Sequence, residues 1–414
     1  MTGAIRNAAD VARWRLCVGC GACVAVCPNG AIRLIDIEDV GKRPLVEEGY
    51  CDGCDICLRV CPGIESPNLV EGTDPGLTGK EGIERWGRFY ELWEGYASEP
   101  EIRFRGSSGG LCTALSLFCL EQGIAGGVLH VMRDKDKPWK NKTVRSKTRK
   151  EIIAGTGSRY SPASPCEGLG EIEGAEDATV FVGKPCDIEG LRLAQQVRPE
   201  LVRQTTVAIG FFCAGTPSTR GTIELLKNHG VNLDELSELR YRGLGWPGLA
   251  TCQFKNGSLS PMRITYQDSW GFLQKYRPFR CYLCPDLTAE FADISVGDPW
   301  YREIGEEEPG RSLILIRSEK GRNIFHSAMA KGYVKAEPAM PDVIYRSQRN
   351  LLGKRQAIWG RLLAMKLLCI PKPKLEGFHL FSNWLELSHR KKLKSLLGTA
   401  KRIVQRNYFK PLEY

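Results

Sequence analysis

The chain has 414 residues, more than one hydrophobic core usually supports, so we expect two or three domains. Its net charge of +10 comes without the basic and aromatic pattern of an RNA-binding module, which argues against a nucleic-acid partner. Its 17 cysteines and its lack of a long apolar stretch argue against an integral membrane protein and favour a cytoplasmic protein whose cysteines bind metal.

Two cysteine runs near the N-terminus repeat one spacing. Residues 17–28 and 51–62 each read C-x2-C-x2-C-x3-C-P. In bacterial two-cluster ferredoxins, which share this spacing, the fourth cysteine of each run ligates the other cluster. A zinc module would close with four ligands and has no need of eight. The predicted ligands are therefore Cys17, Cys20, Cys23 and Cys61 for one [4Fe-4S] cluster, and Cys51, Cys54, Cys57 and Cys27 for a second.

This repeat predicts a ferredoxin-type domain over residues 1–75. The cluster of the first run is expected to be the outer one, which exchanges electrons with a partner. Residues 63–100 are rich in glycine, proline and acidic side chains, a composition that predicts a linker, with the domain boundary near 75–90.

Beyond the linker, short β-branched runs alternate with helical patterns. Strands are predicted at 179–183, 205–212, 292–297 and 312–316, and helices at 187–196, 218–229 and 320–331. This alternation predicts an α/β domain with a mixed sheet over residues 76–345.

A glycine-serine turn opens the segment 104–123, and a helix follows it. Ser107 and Ser108 are expected to cap that helix. Gly109 and Gly110 are expected to leave backbone amides free for a pyrophosphate, although a simple helix cap is the alternative. We expect Cys112 and Cys119, farther along the helix, to be core residues rather than ligands. They are not candidates for a site.

Five later residues are candidates for redox chemistry. Lys184, at the end of a predicted strand, could stabilise negative charge on a reduced flavin, and a surface lysine is the alternative. The four cysteines that an α/β fold could gather at one sheet edge are Cys186, Cys213, Cys281 and Cys284. They could hold a third [4Fe-4S] cluster, and a redox dithiol or a buried structural set is the alternative.

Residues 346–414 are helical in pattern and strongly basic, especially at 389–406. A basic amphipathic helix could lie on an anionic membrane surface or on an acidic partner, and a solvated terminal face is the alternative. We therefore expect a helical basic extension after the α/β domain, with peripheral contact at the inner face of the membrane left open.

Five motifs in order resemble a known family. They are "RGSSGG", "GSRY", "VGKPCDIEGLR", "FFCAGTPS" and "RCYLCPDLTAEFADISVGD", within residues 15–315. Together they resemble the coenzyme F420 hydrogenase/dehydrogenase beta subunit family, whose relatives include plant 7-hydroxymethyl chlorophyll a reductase. The resemblance implies FAD in the α/β domain and favours the third cluster. The flavin contacts it implies are Ser107, Ser108, Gly109, Gly110, Thr113, Gly157, Ser158, Arg159, Tyr160 and Lys184.

The function implied is that of an iron-sulfur flavoprotein oxidoreductase. Hydride would pass between a deazaflavin and FAD, and single electrons would pass between FAD and the clusters. The implied partners are the deazaflavin or another organic redox substrate, and a ferredoxin or other redox protein. The alternatives are a ferredoxin-linked reductase of another organic molecule, an accessory reductase of glycan biosynthesis, and a non-catalytic electron-transfer subunit.

Overall fold

The computed structural model describes residues 5–66, 79–303, 305 and 309–414. The α-helices in this part of the chain are α1 (Ala8–Arg13), α2 (Ala22–Val26), α3 (Ile56–Arg59), α4 (Gly79–Trp86), α5 (Pro100–Arg105), α6 (Leu111–Glu121), α7 (Arg149–Ala154), α8 (Leu169–Glu173), α9 (Pro185–Val197), α10 (Glu200–Gln204), α11 (Thr219–Asn228), α12 (Tyr266–Leu273), α13 (Glu319–Ala330), α14 (Asp342–Ser347), α15 (Arg349–Gln356), α16 (Ile358–Leu367), α17 (Leu380–Leu385) and α18 (His389–Gln405). The strands are β1 (Ile32–Ile37), β2 (Gly41–Val46), β3 (Glu65–Ser66), β4 (Glu91–Ala97), β5 (Gly127–Arg133), β6 (Asn141–Ser146), β7 (Thr179–Gly183), β8 (Thr205–Phe211), β9 (Leu236–Arg240), β10 (Leu249–Phe254), β11 (Leu259–Thr265), β12 (Ile294–Gly297), β13 (Ser312–Ile316), β14 (Val334–Pro338) and β15 (Lys374–Leu375).

An eight-stranded mixed sheet forms the centre of the molecule, in the order β14-β4-β13-β12-β8-β7-β5-β6. Strands β12, β8, β7 and β5 run parallel, and the strands on either side of this group pair antiparallel. The central strands are buried apolar runs, as expected of strands covered on both faces. Helices α6 and α13 cover one face, and α8 and α9 cover the other. The predicted mixed-sheet α/β architecture is confirmed.

The N-terminal residues share a core with this domain. The β1–β2 hairpin and the short helices α1, α2 and α3 surround the cysteine runs. Ala22, Val26 and Val60 pack in one apolar cluster with Phe181 of β7 and Ile188 of α9. The first cysteine run and the end of the second are therefore packed against the sheet domain.

The linker prediction for residues 63–100 is wrong in its second half. Residues 79–86 form α4, and 91–97 form β4, which pairs with both β13 and β14. The strand was missed because Glu91, Glu94 and Gly95 resemble a linker in composition, yet Glu94 is buried in ion pairs with Arg302 and Arg311. Residues 67–78 of the predicted linker lie outside the described residues.

The C-terminal helices pack on the rest of the molecule. Helix α16 contacts α18, and Met365 and Ile403 from these helices share a core with Val11 and Leu16 of the N-terminal segment. The backbone amide of Leu412 also donates to the carbonyl of Arg13 at 2.8 Å. No helix in the described part of the chain is long and apolar enough to cross a membrane.

Candidate functional site

The structure brings the first predicted cysteine set together. Gly19 and Gly21 take positive φ angles of 74° and 92° in the loop before α2, a conformation that favours glycine. Burial, reinforced by neighbouring Cys20, Cys17 and Cys61, raises the pKa of Cys23 far above its usual value. The amide of Gly19 donates to the sulfur of Cys17 at 3.3 Å, a contact that suits a thiolate ligand.

The second predicted set also converges. Cys27, Cys51, Cys54 and Cys57 line one small cavity of about 20 Å³ beside the start of α1. Cys51 and Cys54 are exposed, within a continuous exposed segment at 47–55. Crossed ligation therefore has a structural basis, since Cys27 of the first run lies with three cysteines of the second.

The third predicted set lines a cavity of about 50 Å³ at the edge of the large sheet. The four cysteines of this set are Cys186, Cys213, Cys281 and Cys284, and Cys17 of the first set lines the same cavity. Cys186 is the second residue of α9, which follows β7, and Cys213 follows β8, so the ends of two adjacent parallel strands bring both cysteines to one edge of the sheet. Burial and the neighbouring Cys281 raise the pKa of Cys213 to about 11.

A single metal ion and a cluster place different requirements on the positions of their cysteine ligands. Among the described residues, no three His, Cys, Asp or Glu side chains converge on a single point as one metal ion requires. A cubane takes each thiolate on a different iron, so its ligands surround a volume instead of meeting at a point. The second and third sets each line a cavity in this way.

The predicted order of the two N-terminal clusters is wrong. Cys17 and Cys20 are buried, and Cys17 lines the cavity of the third set. Cys51 and Cys54 are instead the exposed members of the two runs. The first-run set is thus the inner one, and the Cys51 set is the outer one. Sequence spacing carries no information about which run the α/β domain covers.

Two buried arginines line the cavity between the third set and Cys17. Arg43 is 3% exposed and Arg280 is 2% exposed. Arg280 donates through Nη2 to the carbonyl of Pro62 at 2.9 Å, but its Nε and Nη1 have no hydrogen-bond partner among the residues that the structure describes. Unpaired buried donors are costly, so their presence beside the cysteines points to an acceptor such as a cluster sulfide.

Lys184 lies between this cavity and a larger one and lines both. Its ammonium is buried, pairs with Asp187 at 2.5 Å and donates to the carbonyl of Ala163 at 3.0 Å. The alternative of a surface lysine is therefore wrong. Because Asp187 compensates its charge, Lys184 offers less positive charge to a flavin than the sequence suggested.

The larger cavity has a volume of about 810 Å³ and lies at the carboxyl ends of β7, β8 and β12. In open α/β sheets, ligands bind at this edge. The volume is within the range of cofactor pockets. Its lining includes Gly183, Cys213 and Gly297 from these strand ends, so it adjoins the third cysteine set.

The glycine-serine turn forms one wall of this cavity, but not as predicted. Gly110, at φ 76°, is the N-cap of α6, and no side chain caps the helix. Ser107 accepts from the amide of Ser158 at 2.6 Å, and Ser108 shares a hydrogen bond with Ser312. The two serines tie the turn to its neighbours, so the capping prediction is wrong.

Gly109 does not offer a free amide. Its N–H donates to the Ser312 hydroxyl at 2.9 Å, and a Cβ atom there would lie 2.6 Å from the carbonyl oxygen of Gly95. Glycine is required for packing against β4 and β13. The turn residues that do line the cavity are Gly106, Ser107, Ser108 and Gly110, followed by the first turn of α6.

The segment 157–160 lies beside this turn and is joined to it by the hydrogen bond from Ser158 to Ser107. Gly157, Ser158 and Tyr160 line the cavity, as does Thr113, whose hydroxyl is 3.2 Å from that of Thr156. Arg159 also lines the cavity, but protein acceptors engage its guanidinium. It bonds the Asn141 side chain and the carbonyls of Pro138, Lys140 and Leu239.

An aromatic wall of the same cavity was not predicted from the sequence. Arg242 forms a two-point ion pair with Asp298, at 2.9 and 2.7 Å, and its guanidinium lies over Tyr266 and Trp300. Those two rings stack at 5.0 Å. The residues are far apart in sequence and belong to no short motif, so only the fold brings them together. Such a wall suits a flat aromatic ligand.

Three further cysteines lie near these sites. Cys119 is buried in the core as predicted, while Cys112 is half-buried and reaches the edge of the large cavity. Burial raises the pKa of both to about 12. Cys166, which no motif indicated, is fully buried, and its backbone amide donates to the carbonyl of Cys20 at 3.0 Å.

Three family models match this chain. A 4Fe-4S dicluster domain covers residues 16–63. The N-terminal and C-terminal domains of the coenzyme F420 hydrogenase/dehydrogenase beta subunit cover residues 92–169 and 177–342. The last two together span the large sheet from β4 to β14 and include most of the lining of the large cavity, whose remaining lining residues lie within 347–354. Residues after 342 lie outside all three matches.

Curated relatives agree with these matches. The chain is 26% identical over 260 residues to the coenzyme F420 hydrogenase subunit beta of Methanosarcina barkeri, covering 61% of this chain and 83% of that one. It is 27% identical to the coenzyme F420-dependent sulfite reductase of Methanocaldococcus jannaschii, over 78% of this chain and 47% of the relative. Identity to the F420-dependent formate dehydrogenase 1 subunit beta of Methanococcus maripaludis is 26%, over 61% of this chain and 62% of the relative.

A solved structure shares the fold. The match is a chain from the F420-reducing [NiFe] hydrogenase complex of Methanosarcina barkeri. It has a TM-score of 0.55 and 23% sequence identity, and it covers 70% of this chain and 97% of the other.

Proposed function

Because the chain belongs to the coenzyme F420 hydrogenase/dehydrogenase beta subunit family, we propose that it is an oxidoreductase that exchanges hydride with an organic substrate at FAD and single electrons with a protein partner. The 4Fe-4S dicluster domain supplies two clusters, and the third cysteine set holds another. The substrate class is a deazaflavin of the coenzyme F420 type.

The continuity of the sites is the observation that carries this proposal. The large cavity and the third cysteine set share Lys184 and Cys213 as lining residues. Cys17 of the inner set lines the cavity of the third, and Cys57 of the outer set lies near enough to raise the pKa of Cys23. Electrons thus have an unbroken route from the cavity to the surface at Cys51 and Cys54.

The large cavity has features that fit FAD. The first amides of α6 follow Gly110 and are free of helical partners, which suits a pyrophosphate. The wall formed by Tyr266 and Trp300 suits a ring system. FAD, when bound, takes up hydride and passes on electrons one at a time. The protein's own part is to orient the two ring systems and exclude water.

Arg242 serves this orienting role, and His130 lines the same cavity as a neutral group. Arg242 fixes the aromatic wall through its ion pair with Asp298, which also accepts from the indole N–H of Trp246 at 2.8 Å. Burial lowers the pKa of His130 to about 4, so the imidazole is neutral near pH 7. It pairs with the Ser146 hydroxyl at 2.8 Å and adds no charge to the cavity.

The outer end of the route is suited to a protein partner. Tyr50 is 66% exposed beside Cys51 and Cys54. The same exposed segment carries Glu48 and Asp52, so a partner with a basic patch would be steered to the cluster. A ferredoxin-like or larger redox subunit fits this description.

Anaerobic rapid mixing tests the proposed activity. The holoprotein is mixed with reduced F420, and flavin and cluster absorbance are followed separately. We expect the flavin to respond first and the clusters afterwards. If ferredoxin reduces the bound flavin but reduced F420 does not, the substrate would be an organic molecule other than a deazaflavin. If the purified protein contains no flavin, the chain would be a non-catalytic electron-transfer subunit.

A further inference from the structure

Helix α18 has one face buried against the molecule. Ser395, Thr399 and Ile403 are buried, and Ile403 joins the core shared by the N-terminal segment and α16. At 100° per residue these three positions span about 80° of the helix circumference. The orientation of the helix is therefore fixed, and so is the direction of its other faces.

A second face of α18 presents apolar side chains to solvent. Leu393, Leu397 and Val404 are 57%, 55% and 58% exposed. They span about 40° of arc, centred about 140° from the buried face. Single exposed leucines are ordinary, but three on one line of a helix form a patch that requires an explanation. We refer to these three residues as the apolar stripe.

Cations flank the apolar stripe. Arg390, Lys394 and Lys401 are exposed and lie about 40–80° to one side of its centre. The helix, His389–Gln405, contains no Asp or Glu. None of the three cations has an ion-pair partner in the part of the chain that the structure describes. The surface therefore combines apolar side chains with uncompensated positive charge.

We propose that the apolar stripe and its three cations dock this protein on an anionic membrane surface, with α18 lying in the plane of the interface. Leucine and valine side chains would enter the boundary of the acyl region, and the lysine and arginine side chains would reach lipid phosphates. A second copy of the chain fits the surface poorly, because pairing two stripes would also bring two sets of cations together. The proposal is independent of the substrate at the flavin.

Vesicle sedimentation of the full-length holoprotein tests the proposal. The vesicles are phosphatidylcholine with and without phosphatidylserine. We expect binding to the anionic vesicles alone, and weaker binding as salt screens the charges. Lys394→Gln with Lys401→Gln should lower the partition coefficient about 25-fold, since each cation near an anionic surface contributes about five-fold. Leu393→Asn with Leu397→Asn should lower it at least about ten-fold.

Matched controls lie on the three-stranded sheet. Leu259 is 73% exposed and Lys255 is exposed, so Leu259→Asn and Lys255→Gln make the same chemical changes away from α18. Both should bind vesicles as the wild type does. Because the substituted side chains are exposed, all variants should keep the iron content of the wild type. That result would show that the fold is retained.

Three outcomes would overturn the proposal. One is equal binding, or no binding, to both kinds of vesicle. Another is loss of binding in the lysine variant but not in the leucine variant, which would mean diffuse electrostatic attraction. The third is a wild-type dimer that becomes monomeric in the leucine variant without any vesicle binding, which would mean that a second copy covers the stripe.

Discussion

Replacing Arg280 with glutamine should lower the reduction potential of the clusters beside it. The Arg280 guanidinium is 2% exposed and lines the cavity shared by Cys17, Cys281 and Cys284. A unit charge roughly 5–10 Å from a redox centre contributes about 1.7–3.3 kcal/mol at an effective dielectric constant of about 20. For a one-electron couple this corresponds to about 70–140 mV. The shift is negative, because the lost positive charge had stabilised the reduced cluster.

Redox titration followed by EPR measures this shift. Arg280→Lys keeps the positive charge, so its reduction potentials should stay within about 30 mV of those of the wild type, well below the shift expected for Arg280→Gln. The outer cluster serves as an internal reference, since Cys51 and Cys54 are exposed and do not line this cavity. Unchanged potentials in Arg280→Gln, with all clusters retained, would refute the assignment of Arg280 to the space between the inner and third clusters.

Three further predictions concern the cavity. Gly110→Ala should reduce bound flavin, because φ is 76° and the new Cβ would lie 2.8 Å from the Ile102 carbonyl oxygen; Gly123→Ala, equally strained at φ 67° but in open space, should keep its flavin. Asp298→Ala should lower the free energy of unfolding in urea by about 3 kcal/mol, because it leaves the buried Arg242 unpaired; a loss below about 1 kcal/mol would contradict the role given to this pair. His130 should weaken the fold in acid, because burial lowers its pKa from the ordinary value of 6.5 to about 4 in the folded protein. The stability that it contributes above pH 6.5 is therefore lost as the pH falls toward 4. Between pH 7.5 and 5.5 the loss is about 1.4 kcal/mol, and His130→Gln should remove that part of the pH dependence.

Local pattern was sufficient for the central strands and for grouping the cysteines of the two N-terminal runs. The runs at 179–183 and 312–316 are apolar because both faces of the sheet are covered, so they could be recognised without a partner. The crossed sets follow from the spacing within two short runs. In these cases the feature depends on residues that are close together in the sequence.

Long-range contacts account for what was missed. Glu94 of strand β4 is buried because it forms two ion pairs with residues more than 200 positions away. Those partners are not evident from the local sequence, whose composition therefore suggested a linker. The burial of Cys17 and the exposure of Cys51 depend on which side of the N-terminal segment meets α9 and α16. Ser107 and Ser108 had the right chemistry for a cap, but the fold directs them to Ser158 and Ser312.

The central claim is that three clusters and one flavin occupy this chain, and an iron and flavin count of anaerobically purified protein tests it most directly. Three [4Fe-4S] clusters predict about twelve irons per chain, with about one FAD. Cys281→Ala with Cys284→Ala should retain about eight, whereas Cys252→Ala, in the separate core of the three-stranded sheet, should retain about twelve. About eight irons in the wild type, or the same count in both variants, would contradict the third cluster.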